Sequence, residues 1–213
     1  FEQLELLGIK TWSTGFNIWL EGNTSYMDWV VAGSSGKFLE PYKVDLTTHP
    51  FFREVSKAKN RGDDFFVIEA EGEELAELYR LLFQMANTHF ENIIDPGIQL
   101  PERQFNHYVF GAKVSLMFIT FEAVPEVHEI FNRFGKAFEQ SYTRFLDLQK
   151  AEAQAREAEI QLGLERVRAR AMAMQSSEEL SALIGTVFTE LTKLDLVLTR
   201  CIILIFDPDT KGS

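Results

Sequence analysis

Two apolar runs, "RQFNHYVF" at 103–110 and "VSLMFITF" at 114–121, stand either side of Gly111-Ala112-Lys113. A parallel crossover needs a dozen or more residues, so a connection this short folds the second run back on the first, antiparallel. This hairpin commits the chain to an antiparallel sheet, and the other segments must be arranged around it.

A second strand pair is expected at 14–21 and 25–32, joined by a turn at Gly22-Asn23. "GSSG" at 33–36 reads as a loop, and "KFLEPYKVDL" at 37–46 as a short extended segment that Pro41 bends or places at an edge. Thr48 is expected to cap a helix from about His49 to Asn60, with Pro50 in its first turn. Arg61-Gly62-Asp63-Asp64 ends it, and "FFVIEA" at 65–70 is a further strand. A helix of some twenty residues is expected from near Glu73, with Leu75, Leu78, Leu82, Met85 and Phe90 on one side, until "DPGIQLP" breaks it. From Pro125 one helical pattern runs to about Gln175, after which Ser176 and Glu179 form a capping box for another helix. Hairpin-joined strands with helices inserted between them describe an α+β fold.

This order of elements is similar to a GAF domain, a small-molecule sensing module. The likeness is carried by "THPFFREVSKAKNRGDDFFVIEAEGEEL" and by "YVFGAKVSLMFITFEAVPEVHEIFNRFGKAFEQSYTRF", where strand, tight turn, strand and Pro-started helix follow one another with Phe131, Phe134 and Phe138 facing the domain. "LERVRARAMAMQSSEEL" resembles the helical linker before GAF domains in bacterial sensor histidine kinases. The resemblance implies a GAF-like central antiparallel sheet flanked by helices, with a long C-terminal coiled-coil signalling helix. It implies a sensor domain at 1–148, a linker helix at 149–176 and the first piece of a second GAF-like domain at 177–213. It also implies a ligand pocket between the sheet and the middle helices, with Trp29, Phe38, Tyr42, His49, Phe52, Phe66, Tyr108 and Met117 as candidate lining. Core filling by the same aromatics is the competing account. No motif identifies cyclic nucleotide, haem or bilin, so the cofactor is left unknown.

An internal repeat supports the two-domain expectation independently. Phe1, Leu4 and Leu7 have the spacing of Phe188, Leu191 and Leu194, and each set precedes an apolar strand: Phe16 to Leu20 in one copy, Ile202 to Phe206 in the other. The offset suits a whole domain plus a linker, and the competing account is chance likeness between two helix-to-strand transitions. The chain starts on Phe1 and stops soon after strand 201–206, so it is expected to be a fragment of something longer. That last strand is expected to need a partner from elsewhere.

Within the long helix, Leu148, Ala151, Ala155, Ala158 and Leu162 form one heptad seam, and Ile160, Leu164, Val167, Ala171 and Met174 form another. The seams are out of phase around Gly163, a residue that weakens a helix interior by about 1 kcal/mol relative to alanine. A parallel homodimer is expected, with Leu148, Ala155, Leu162, Leu164, Val167, Ala171 and Met174 at its contact.

The formal net charge is −11, which argues against nucleic acid or an anionic membrane as partner. No apolar run approaches the length of a membrane span. No signal peptide is visible, and the single cysteine, Cys201, suits a reducing compartment; with the resemblance, a cytoplasmic location is expected. Cys201 reads as a core residue rather than a chromophore attachment site. His49, His89, His107 and His128 share no metal-ligand spacing, and His128-Glu129 lacks the Pro expected of a phosphoacceptor helix. No phosphate loop or nucleophile–base pair is found. The expectation is therefore a non-enzymatic sensing and dimerisation region of a two-component histidine kinase. The alternatives are a ligand-free GAF scaffold upstream of a cyclase or phosphodiesterase, and a small α+β enzyme.

Overall fold

A computed structural model describes residues 4, 6–32, 36–87, 99–176, 179–194, 200 and 202. The chain divides into two compact units, Phe1–Arg144 and Phe145–Ser213. The first carries the α+β fold. Its strands are β1 (Thr11–Trp19), β2 (Ser25–Ala32), β3 (Lys37–Phe38), β4 (Tyr42–Asp45), β5 (Phe65–Glu71), β6 (Arg103–Phe110) and β7 (Val114–Thr120). They make one antiparallel sheet in the order β3-β2-β1-β7-β6-β5, with β4 also pairing β2.

The hairpin at 103–120 pairs Tyr108 with Met117 and Phe110 with Ser115, and the Gly111 N–H closes the turn on the Val114 carbonyl at 2.8 Å. In the first hairpin, Phe16 pairs with Trp29 and Ile18 with Met27, and β1 begins at Thr11, three residues before the expected start. Because side chains alternate across a strand, each strand contributes to two faces. Tyr26 and Asp28 of β2, Gln104, Asn106 and Tyr108 of β6, and Met117 and Ile119 of β7 share one face; Trp29, His107, Val109 and Phe118 take the other.

Helix α1 (Pro50–Arg61) packs Phe51, Phe52, Val55 and Ala58 into the core on the first face. Its N-cap is His49, whose Nδ1 accepts from the Phe51 N–H at 3.2 Å, and not Thr48, whose hydroxyl donates to the Asp45 carbonyl at 2.7 Å. Pro50 is the reason. A residue before proline is driven to extended backbone, His49 sits at φ −133° and ψ 146°, and that is N-cap geometry. Gly62 ends the helix at φ 84°, its N–H reaching the Ala58 and Lys59 carbonyls.

Helix α2 (Gly72–Met85) buries Leu75, Leu78 and Tyr79, with Leu82 and Met85 packed beside them. It has 14 residues rather than twenty, because Asn87 turns left-handed at φ 48° and bonds back to the Gln84 carbonyl at 3.2 Å. Phe90 and His89 lie outside the described residues.

A single 3₁₀ turn at Pro125–Val127 leads into α3 (His128–Met172), whose first turns cover the second face of the sheet. Phe131 is fully buried there, stacked on Phe118 with ring centres 4.2 Å apart, and Phe138 meets Phe16 at 5.0 Å. Gly135 lets the helix come this close: a Cβ there would overlap the side chain of Val109.

In the second unit, α4 (Leu180–Lys193) follows the later turns of α3. Arg166 donates to Glu190 at 2.9 Å, and Gly163 faces the same side chain. Glu179 is itself the N-cap of α4 and makes no side-chain cap bond, so the Ser176–Glu179 capping box does not form. The expected strand 201–206 lies outside the described residues except for Ile202, and so does Phe1.

Candidate functional site

Between the first face of the sheet and helices α1 and α2 lies a cavity of about 80 Å3. A buried water needs about 10–15 Å3 of such space, so it would hold about six waters. Its wall is mostly apolar. Phe51 and Phe52 come from α1, Leu78, Leu82, Phe83 and Ala86 from α2, Val30 and Leu39 from the β2 side, and Met117 and Ile119 from β7.

Set into this wall are two hydrogen-bonded groups. In one, Asp28 accepts from Asn17 Nδ2 at 2.7 Å and from the Tyr42 hydroxyl at 3.0 Å. In the other, Trp12 Nε1 donates to the Tyr79 hydroxyl at 2.6 Å, Tyr79 donates to Gln104 Oε1 at 2.6 Å, and Gln104 Nε2 donates to Asn106 Oδ1 at 2.9 Å. Tyr108 is hydrogen-bonded to Tyr26 and to Asn106, and its interaction with Asp28 links the two groups.

Burial dominates the electrostatics. It pushes the Asp28 carboxyl up to about 7, against the opposing hydrogen bonds from Tyr42 and Asn17. Burial also raises Tyr26, Tyr42, Tyr79 and Tyr108, keeping all four hydroxyls protonated and able to donate. Asp28 is the one acidic side chain in the lining, and no Lys, Arg or His lines the cavity among the described residues.

Of the eight candidates from the sequence, Tyr42, Phe52, Tyr108 and Met117 line this cavity. The other four lie elsewhere. Trp29 is on the opposite face of β2, stacked on Phe16 at 5.5 Å, because it is one residue out of step with Tyr26 and Asp28. Phe38 is 75% exposed on the edge strand β3. His49 is buried but spent on capping α1, edge-on to Phe52. Phe66 shares the cavity face, opposite Tyr108, and packs against the core rather than into the opening. The sequence reading did not select Asp28, Tyr26, Gln104, Asn106 or Tyr79. Their signal is polar residues at spacing two, Gln104-x-Asn106-x-Tyr108 and Tyr26-x-Asp28, inside runs that are otherwise apolar.

On the second face, His107 is fully buried, shares a hydrogen bond of 2.8 Å between Nε2 and the Thr120 hydroxyl, and leaves Nδ1 without a partner. Burial holds it down at about 4, and the His128 ring lies 5.2 Å away. Among the described residues no three His, Cys, Asp or Glu side chains converge as a metal site would require. No described helix is long and apolar enough to cross a membrane.

No protein-family model, curated protein or solved structure matches the chain. The functional argument therefore rests on the cavity and the sequence.

Proposed function

We propose that the first unit is a GAF-like sensing domain that binds a small molecule in the cavity between its sheet and helices α1 and α2, within the cytoplasmic region of a bacterial sensor histidine kinase. One observation carries the sensing role: a small cavity, apolar in its walls, on which several oriented polar groups converge. Binding sites have this composition, and the position between sheet and middle helices is the one the GAF resemblance implies. The kinase context rests on the linker-like segment 164–180. An unbiased thermal-shift screen of the whole chain tests the sensing role. A ligand at 100 times its dissociation constant should add about 2.7 kcal/mol to unfolding. A screen in which nothing stabilises the chain would favour the ligand-free scaffold instead.

The same reading assigns α3 to dimerisation with a second copy of the chain. Leu148, Leu162 and Leu164 are large apolar side chains exposed on α3, Ala155 and Ala171 are exposed beside them, and Val167 is half-buried; Met174, expected in the same seam of a helix running to about Gln175, lies past the end of α3 at Met172. Their heptad spacing is what a partner helix would cover. Leu164→Asp combined with Val167→Asp should give monomers in sedimentation equilibrium at low micromolar concentration. A double variant that stays fully dimeric would remove the coiled-coil assignment.

A further inference from the structure

We infer that the cavity takes a cationic single-ring ligand, an aromatic amidine or amine, whose positively charged head donates hydrogen bonds to Asp28. The inference rests on the ligand-sensing reading and narrows it to a class of molecule.

The hydrogen-bond inventory of the wall points to the head group. Gln104 Oε1 accepts from Tyr79, and Asn106 Oδ1 from Gln104 Nε2, so each of these neutral amide oxygens has one of its two acceptor positions taken. An ionised carboxylate has about four acceptor positions. Asp28 uses three, for Asn17, Tyr42 and the Trp29 backbone N–H. The spare acceptor on Asp28, the only charged side chain of the lining among the described residues, calls for a ligand that donates. Charge decides its sign. A phosphate or carboxylate would enter a site with no basic group and one carboxylate, and would be desolvated without compensation. A cation gives Asp28 the counter-charge that the surrounding protein does not supply. Tyr26, Tyr42, Phe51, Phe52 and Tyr108 line the same cavity, and aromatic faces attract cations and stack on planar rings. The cavity volume of about 80 Å3, against about 150 Å3 for an engineered cavity that binds benzene, limits the ligand to one ring at most, which must push wall side chains apart to enter fully.

The acid–base consequence follows from the neighbours. Asp28 is faced by Tyr26 on its own strand, Tyr42 from β4, Tyr108 from β6 and, beyond Tyr42, Tyr79 from α2; α1 offers only Phe51 and Phe52. All four tyrosines stay neutral through the physiological range, so Asp28 alone changes charge near pH 7. Below that point a bound cation must displace one proton from Asp28 into solvent, and affinity should increase as pH rises.

Three isosteres separate the possibilities: benzamidine, benzamide and benzoate, titrated calorimetrically into the whole chain, with the Met117 methyl resonance reporting whether each enters the cavity. Benzamidine should shift Met117 and bind at least about tenfold tighter than benzamide, benzoate should not bind, and benzamidine affinity should rise about tenfold between about pH 6 and about pH 8 as Asp28 ionises. Asp28→Asn should abolish the preference and the pH dependence while benzamide binding persists. If that variant does not fold, the pH series on the unaltered chain decides. Benzamide or benzoate shifting Met117 as tightly as benzamidine would overturn the cationic class and leave a ligand cavity standing. Silence from all three up to about 10 mM, far weaker than typical small-molecule affinities, would also overturn this inference. The sensing role itself fails only if the unbiased screen fails as well.

Discussion

Asp28→Asn is expected to stabilise the folded chain above pH 7, by up to a few kcal/mol, although it removes a residue bound on both sides by hydrogen bonds. The folded-state pKa of Asp28 is about 7 against an ordinary value of 3.8. Between those two values the folded chain holds a proton that the unfolded chain has released. Stability is therefore highest at the acid end of that window and declines as pH rises through 7, beyond which the full penalty of a buried carboxylate stands. Each pKa unit is worth about 1.4 kcal/mol. Asparagine has the same shape, does not titrate, and can still accept from Tyr42 or Asn17. Urea unfolding of both proteins at about pH 5 and about pH 8 checks this. The gap between the two should widen by about 3 kcal/mol from the lower pH to the higher one. Parallel pH profiles would show that Asp28 is not a strained carboxylate. A residue that lowers stability where it sits and faces a cavity is what a binding site looks like when stability and function pull apart.

Phe131→Ala should cost about 3–5 kcal/mol, the largest loss expected of any single truncation discussed. Phe131 has no exposed surface, stacks nearly parallel on Phe118 with an 8° angle between the rings, and lies 5.2 Å from the ring of His107. Gly135, one turn further on, already sets the helix against the side chain of Val109, so a further approach that would close the vacated space is opposed by that side chain. Denaturant midpoints of Phe131→Ala and of the half-buried Phe134→Ala would compare the two, the second losing clearly less. A change below about 1 kcal/mol for Phe131→Ala would mean that the helix is not seated on the sheet through this ring.

Much of the fold was legible because short connections leave the backbone few choices. The 103–120 hairpin, the first hairpin, the Pro50 helix and the long helix begun by Pro125 all follow from turn length or proline chemistry. Errors arose where the decisive interaction was local but easily displaced. Thr48 is a better intrinsic cap than His49, yet Pro50 shifts the extended residue by one. Asn87 stops α2 ahead of the Asp95-Pro96-Gly97 break that the sequence suggested. The cavity was legible in part. Aromatic residues were sought by type, which found Tyr42, Phe52, Tyr108 and Met117 but also admitted Trp29, on the wrong side of its strand. Sorting β2 and β6 by alternate positions would have rejected Trp29 and drawn attention to Asp28, Gln104 and Asn106. Pro41 did point to an edge or a bend at 37–46, but a two-residue strand leaves almost no pattern from which to read that the Phe38 side chain faces solvent.

Strand β6 is a party wall. Asn106 and Tyr108 look into the cavity, while His107 and Val109 lie against α3 on the other side, so cavity-facing and helix-facing positions alternate residue by residue along one backbone. The two sides are separated by a single peptide unit. A twist of β6 that made room for a guest on one side would tilt the seat of Phe131 and Gly135 on the other within the same few bonds, with no chain of intermediary side chains to traverse and no means of keeping the movement private.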